Sequence, residues 1–266
     1  MLVEARNVSL DMPDMGHQVL FGERRKLCIL NDISISIDRG ETLGIVGESG
    51  SGKTSLGRTL LRLYEPSNGS LSFDGTDITH MSRAALRPLR RRMQMIFQDP
   101  QSSLNPRHRI GTILAGGLWL HGLDASEKTL SALVERVGLP PSVLSRYPHQ
   151  LSGGQRQRIG IARAIALKPA FVVADEIVSG LDVSTQAQVL DLLKGLRAEF
   201  GLSLAFISHD LSVIRHICDR IVIMRAGEIV EAGRTAETFR APKSEFTKTL
   251  IAAIPLPEPD GAWLKA

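Results

Sequence analysis

At 266 residues, with 43% apolar and 23% charged residues, the chain is long enough to bury a sizeable core and has the composition of an ordinary globular protein. Its formal charge of +4 is modest and aromatic residues make up only 5%. None of these is interleaved with the cluster Arg83, Arg87, Arg90, Arg91 and Arg92, which argues against a base-stacking binder of single-stranded nucleic acid.

In chain order, Asp32 to Asp38 alternates polar and apolar with period two and predicts a half-buried, antiparallel strand. Leu43-Gly44-Ile45-Val46 is a continuous apolar run, a buried strand, and Leu56, Leu60, Leu61 and Leu63 then follow at helical spacing. Ser70 to Phe73 alternates again before the turn Asp74-Gly75. Residues 82–92 predict a short basic helix interrupted or kinked by Pro88. Its arginines form a solvated face, or a contact for phosphate, lipid headgroups or a partner. Met95-Ile96-Phe97, Phe171 to Ala174 and Leu204 to Ile207 read as parallel strands covered on both faces, so the core is α/β. Gln101 to Gln150 carries no strand pattern and reads as a helical insertion. Ile221 to Met224, the turn Ala226-Gly227 and Glu228 to Val230 suggest a hairpin, followed by a helix at 245–254 and a proline-rich tail over 254–259.

Cys28 and Cys218 supply neither a disulfide framework nor the paired spacing of a zinc or iron–sulfur site, and both are expected to be buried small apolar side chains. No apolar run reaches the ~20 residues of a membrane span and Met1 to Arg6 does not read as a signal peptide, so a cytoplasmic chain is expected.

Gly47-Glu48-Ser49-Gly50-Ser51-Gly52-Lys53-Thr54-Ser55 fits Gly-x-x-x-x-Gly-Lys-[Ser/Thr] between a predicted strand and a predicted helix. Glycines let successive backbone N–H groups turn inward, the helix N-terminus adds partial positive charge, Lys53 supplies a cation for terminal phosphates, and the Thr54 hydroxyl suits Mg²⁺. A dinucleotide fingerprint is the poorer fit, since its pattern calls for neither Lys53 nor Thr54. Ser152, Gly153 and Gly154 open a second helix, through Ile159, Ala162, Ile165 and Ala166. A hydroxyl and two glycine amides there make a second anion site; a plain N-cap would not call for the double glycine. Asp175 and Glu176 end an apolar strand, where an acidic pair can reach a metal and a water molecule.

A phosphate loop followed by Leu151-Ser152-Gly153-Gly154-Gln155 resembles the ATP-binding cassette (ABC) family, and Phe171 to Glu176 resembles its Walker B element. The resemblance implies a P-loop NTPase core with a RecA-like parallel sheet, an N-terminal antiparallel β subdomain and a helical subdomain. Residues 1–240 would form the ATPase domain, with the helical subdomain inserted at about 101–157, and 241–266 a C-terminal extension. It further implies ATP and Mg²⁺ as ligands, with Thr54, Gln98 and Asp175 at the metal and Glu176, His209 and Lys53 as the catalytic set. Gln98 resembles the Q-loop glutamine, Ser179-Gly180-Leu181-Asp182 the D-loop and His209 the switch histidine. Two cassettes would pack head to tail, so that Ser152, Gly153, Gly154 and Asp182 serve a nucleotide at the dimer interface.

Phe97 to Arg107, Arg146-Tyr147-Pro148-His149, Leu181 to Ser184 and Ala253-Ile254-Pro255 resemble ATPases of oligopeptide, dipeptide and nickel importers, and in particular the second ATPase of such a pair. The resemblance implies two transmembrane permease subunits, a homologous second ATPase and, indirectly, an extracytoplasmic solute-binding protein. It places the chain at the cytoplasmic face of the bacterial inner membrane, with no nucleic-acid partner. Exporter ATPases and soluble ABC ATPases acting on nucleic acid or ribosomes are the competing readings. The Gln98–Arg107 stretch argues against the first. The single phosphate loop and the absence of a coiled-coil-length insertion argue against the second. Met12, with Phe21 as a second candidate, occupies the region where the family stacks an aromatic on adenine. Ile177 and Gly180 replace a common Pro and Ala, and no cysteine cluster for an iron–sulfur centre is present.

Overall fold

Alternation along residues 32–38 resolves into strand β2 (Lys26–Ile37), which runs antiparallel to β1 (Val3–Pro13) with Val3 opposite Ile37 and Ala5 opposite Ile35. Ile33, Ile35 and Ile37 face inward while Ser34 and Asp32 face water, the two-residue period of a sheet with one wet side. The computed structural model describes residues 1–14, 26–99 and 103–254. Phe21 and the tail beyond Ile254 lie outside the described residues.

Strand β3 (Thr42–Gly47) leaves this first layer and enters a second sheet, whereas β4 (Asn68–Phe73) and β5 (Thr76–Asp77) complete the antiparallel one in the order β2-β1-β4-β5. The second sheet runs β10-β9-β3-β8-β7-β6, with β6 (Met93–Ile96), β7 (Phe171–Asp175), β8 (Ser203–Ile207), β9 (Arg220–Arg225) and β10 (Glu228–Arg234). Its β6, β7, β8, β3 and β9 pair in parallel, and β10 returns antiparallel on β9. Alternate residues of β7 and β8 join different cores: Phe171, Val173, Ala205 and Ile207 face the antiparallel sheet, and Val172, Ala174, Leu204 and Phe206 face a helical layer. Both faces are therefore apolar, which is why these strands lack alternation in sequence.

Helix α1 (Lys53–Leu60) lies on the first face, burying Leu56 and Leu60. Leu61 is buried beyond its end, but Leu63 is 48% exposed, so the helical spacing of leucines stops one turn earlier than the sequence suggests. Helix α2 (Arg83–Arg90) continues past Pro88, so the interruption that the proline suggests does not occur. Ser82 caps its start, Leu86 is buried, and the Arg90 guanidinium bonds the carbonyls of Leu61 and Arg62 just after α1, anchoring its last turn despite the missing N–H. Part of the arginine cluster is thus committed internally: Arg90 as described and Arg92 to Asp74 at 2.6 Å, while Arg83, Arg87 and Arg91 stay in water.

Among residues 103–150 the structure has helices α3 (Ile110–Leu120) and α4 (Glu127–Arg136) and two short 3₁₀ turns, Pro141–Ser145 and Pro148–Gln150. They pack Ile110, Leu114, Leu118, Leu130, Leu133 and Val134 onto α5 (Gly153–Ile165). Helices α6 (Val183–Phe200), α7 (Leu211–Ile217), α8 (Thr235–Arg240) and α9 (Glu245–Ala252) follow. Among the described residues no helix is long and apolar enough to cross a membrane. Cys218 is buried as expected, and burial pushes its thiol far up. Cys28 is exposed, a correction: it sits in the part of β2 whose residues 26–28 face solvent.

Candidate active site

Residues 47–52 close a tight turn between β3 and α1, with Ser51 N–H donating to the Glu48 carbonyl at 3.2 Å. A Cβ on Gly47, at φ +153°, would overlap the Met224 carbonyl, so no other residue fits there. Lys53 reaches back over the turn and its Nζ donates to the Gly47 and Glu48 carbonyls at 2.8 and 2.7 Å. The side chain is 5% exposed, and burial lowers its pKa against the pull of Glu176 and Asp175. Glu48, Ser49 and Gly50 face solvent, while Ser51 is buried with its Oγ unpartnered.

The C-terminus of β7 brings the acidic pair to this loop. Thr54 Oγ1 donates to Asp175 Oδ1 at 3.0 Å, across 121 positions of sequence. Glu176 stands just beyond the strand at φ +45°, an uncommon conformation for a side chain other than Gly, held by its N–H bond to the Ile207 carbonyl at 3.0 Å. Ile177 is buried in the helical-side core. The turn at 176 aims the Glu176 carboxylate at two strand-end residues: Gln98 Nε2 donates to its Oε2 at 2.9 Å, and His209 Nδ1 lies 3.4 Å from the same oxygen. Gln98 follows β6 and His209 follows β8, so three parallel strands deliver Gln98, Asp175-Glu176 and His209 to one edge, beside the loop that ends β3.

Thr54 Oγ1 and Asp175 Oδ1 are hard oxygen donors within one hydrogen bond of each other, with the Gln98 amide reaching Glu176 alongside. That donor set fits Mg²⁺, which takes one or two carboxylate or hydroxyl oxygens and keeps water and phosphate for the rest. Burial raises the Asp175 pKa although Thr54, Arg58 and Lys53 oppose it. The ionised carboxylate is therefore less favourable in the folded chain than in the unfolded one. That penalty is full above the raised value and fades as pH falls through it. Asp175→Asn should accordingly melt higher than the parent at pH 7.5 in metal-free, nucleotide-free buffer, by about 2 °C for each roughly 1 kcal/mol relieved, with the gap closing on acidification. Differential scanning calorimetry between pH 7.5 and pH 4 checks it, and an unchanged or lowered melting point at pH 7.5 would contradict it.

Ser152, Gly153 and Gly154 lie at the start of α5. Ser152 caps α5, accepting from Gln155 N–H at 3.3 Å while Gln155 Oε1 accepts from Ser152 N–H at 3.0 Å. Gly154 packs on α6, where a Cβ would come 2.6 Å from Thr185 Cγ2. Asp182 caps α6, accepting from Thr185 N–H and Oγ1 at 2.9 and 2.7 Å, and these bonds lower its pKa. Both segments therefore present exposed helix starts, and among the described residues their hydrogen bonds stay within their own turns. Met12 lies half-buried in β1 opposite Leu27, against the antiparallel-side core. Arg163 was not singled out from the sequence. Its guanidinium bonds the Ser103 carbonyl and lies 5.8 Å from the Phe97 ring, tying α5 to both sides of the segment after Gln98. Only the arginine's spacing on the buried face of α5 could have signalled it.

A glycine loop after β3, an acidic pair after β7 and a parallel sheet covered on both faces define a phosphate-loop nucleotide-binding protein. The profile of the ABC transporter family matches residues 30–179. A putative peptide import ATP-binding protein of Brucella ovis is 51% identical over 237 residues, 88% of this chain and 75% of that protein. The oligopeptide transport ATP-binding protein OppF of Bacillus subtilis is 50% identical over 236 residues, 87% of this chain and 77% of its own length. Among solved structures, the dimeric cassette MJ0796 in a post-hydrolysis state with ADP and Pi superposes with TM-score 0.76 at 27% identity, covering 88% of this chain and 99% of that one. The chain belongs to the ABC transporter family, as one of its ATP-binding cassettes.

Proposed function

We propose that this cassette hydrolyses ATP as a subunit of a peptide importer, seated on the cytoplasmic face of the cell membrane. The observation that carries the hydrolytic half is the Glu176 carboxylate, turned out of strand register and gripped by Gln98 beside His209, next to the Thr54–Asp175 pair. The transport half is supported by relatives at about half identity whose names specify peptide or oligopeptide import.

In this reading the amides of 47–52 and the buried Lys53 ammonium take the phosphates, and Ser55 extends the site into the first turn of α1. Thr54, Asp175 and Gln98 would hold Mg²⁺, which would supply positive charge to offset that of the phosphates. Glu176 accepts a hydrogen bond from the attacking water and draws its proton, and Gln98 keeps the carboxylate aimed. His209, 60% exposed, is positioned to reach from Glu176 toward the terminal phosphate. Ser152, Gly153, Gly154 and Asp182 face outward and serve the nucleotide held by a second, homologous ATPase packed head to tail, so closure of the pair completes each site. Residues 1–240 form the ATPase domain, with a helical subdomain at about 101–157 and an extension from 241.

The partners follow: two permease subunits, the second ATPase and, indirectly, an extracytoplasmic solute-binding protein that presents peptide. Purifying the tagged chain from mildly solubilised membranes in Mg-ATP, with mass spectrometry of what accompanies it, tests this. Two polytopic membrane proteins and a related ATPase are expected, whereas repeated recovery of ribosomal proteins or nucleic acid instead would overturn the importer assignment.

A further inference from the structure

The phosphate loop is tied to two segments far away in sequence, the β9–β10 turn and, through it, β2. On one side, the turn joining β9 to β10 places the buried Gly227 against it, and Gly227 N–H donates to the Ser51 carbonyl at 3.1 Å. On the other side of the same turn residue, the Gly227 carbonyl accepts from Asn31 N–H of β2 at 2.9 Å, and Asn31 Nδ2 donates to Glu228 Oε1 at 2.7 Å. Gly227 is thus one link in a chain from the antiparallel sheet through the β9–β10 turn to the loop.

Space around this chain is used up. A Cβ on Gly227, at φ +84°, would stand 2.6 Å from the Ile29 carbonyl. One on Gly52 would stand 3.0 Å from that same carbonyl, and Gly47 lies directly under Met224 at the end of β9. At all three places a side chain would meet backbone, so the loop, the end of β9 and β2 pack closely there.

We infer that the β9–β10 turn braces the phosphate loop in its nucleotide-binding shape, with Gly227 as a positioning residue that acts through Ser51. The physical reason lies in one peptide plane. The Ser51 carbonyl and the Gly52 N–H belong to the same planar trans peptide and point in opposite directions. Fixing the carbonyl on Gly227 therefore aims the Gly52 N–H away from the turn, where a phosphate oxygen would collect it. A loop without the brace can rotate that peptide and lose an amide from the phosphate cradle. The inference rests on reading 47–55 as the nucleotide loop.

The test is Gly227→Ala in the full chain, with MgADP affinity measured by titration calorimetry well below the melting temperature. The added methyl meets the Ile29 carbonyl of β2 at a positive φ, so the turn must shift and the Gly227–Ser51 bond is disturbed; the Kd should then rise roughly tenfold, the worth of one well-made hydrogen bond to an anion. Unchanged affinity in a folded variant overturns the brace, even if its melting point falls, because a merely structural glycine would move stability alone. Hydrogen exchange on the unmutated chain gives a second arm that does not depend on the variant folding. Added MgADP should slow exchange in 225–230 together with 47–53, and protection of the loop with none at the turn also overturns the brace. Failure of the unmutated chain to bind MgADP overturns the nucleotide reading itself.

Discussion

Glu176→Gln should bind ATP with near-parental affinity and hydrolyse it about 10²–10⁴ times more slowly, the usual contribution of a positioned general base. The substitution keeps the shape of the side chain and leaves an amide oxygen to accept from Gln98, so the turn at φ +45° and its bond to Ile207 should survive. What it removes is the negative charge facing His209. Steady-state phosphate release together with filter-binding of labelled ATP separates the two effects. Hydrolysis within a few-fold of the parent would mean that Glu176 is a structural cap for Gln98 and that the water is activated elsewhere. Parallel loss of binding would mean that the carboxylate shapes the ground-state site.

Much of that site was legible because chemistry restricts the residue types. A loop that turns its amides on phosphate needs glycine, and a strand-end acid facing a metal needs Asp or Glu, so 47–55 and Asp175-Glu176 stand out in one dimension. The strand pattern was legible for the same reason: Ile33, Ile35 and Ile37 alternate because one side of β2 is wet, and β7 and β8 do not because both sides are buried. What stayed hidden depends on meetings across the chain. Nothing near Pro88 announces that Arg90 will find two carbonyls beyond α1 and let the helix run on. Cys28 reads as an apolar residue until the register of β2 places it in solvent. Asp182 followed by Thr185 is also an N-cap pattern, which its family resemblance obscured; the structure shows the cap, and the proposed interface role must coexist with it. The contact of Gly227 with Ser51 joins segments far apart in sequence and has no local signature at all.

Lys53→Met should be the complementary lesion, weakening nucleotide binding itself. In the parent chain the Lys53 ammonium is nearly buried and spans the Gly47 and Glu48 carbonyls, so it is already desolvated and already on the loop when phosphate arrives. A charge-assisted bond is worth about 1.5–3 kcal/mol, so MgATP affinity should fall roughly 10- to 150-fold. Hydrolysis should fall further, because negative charge builds on the leaving phosphate oxygen toward the transition state, where an ammonium stabilises it most. Stability should respond much less, since two opposing changes nearly offset. Burial lowers the Lys53 pKa, so below that lowered value the charged side chain carries a penalty that methionine lacks. Methionine, however, abandons both loop carbonyls. The ligand-free melting point should therefore stay within about 3 °C of the parent at pH 7. Calorimetry and MgATP titration on the same preparation decide the matter. A fall in melting point with affinity intact would make Lys53 a loop staple. A fall in affinity with the melting point held would separate Lys53, which gathers the phosphates, from Glu176, which acts on the water.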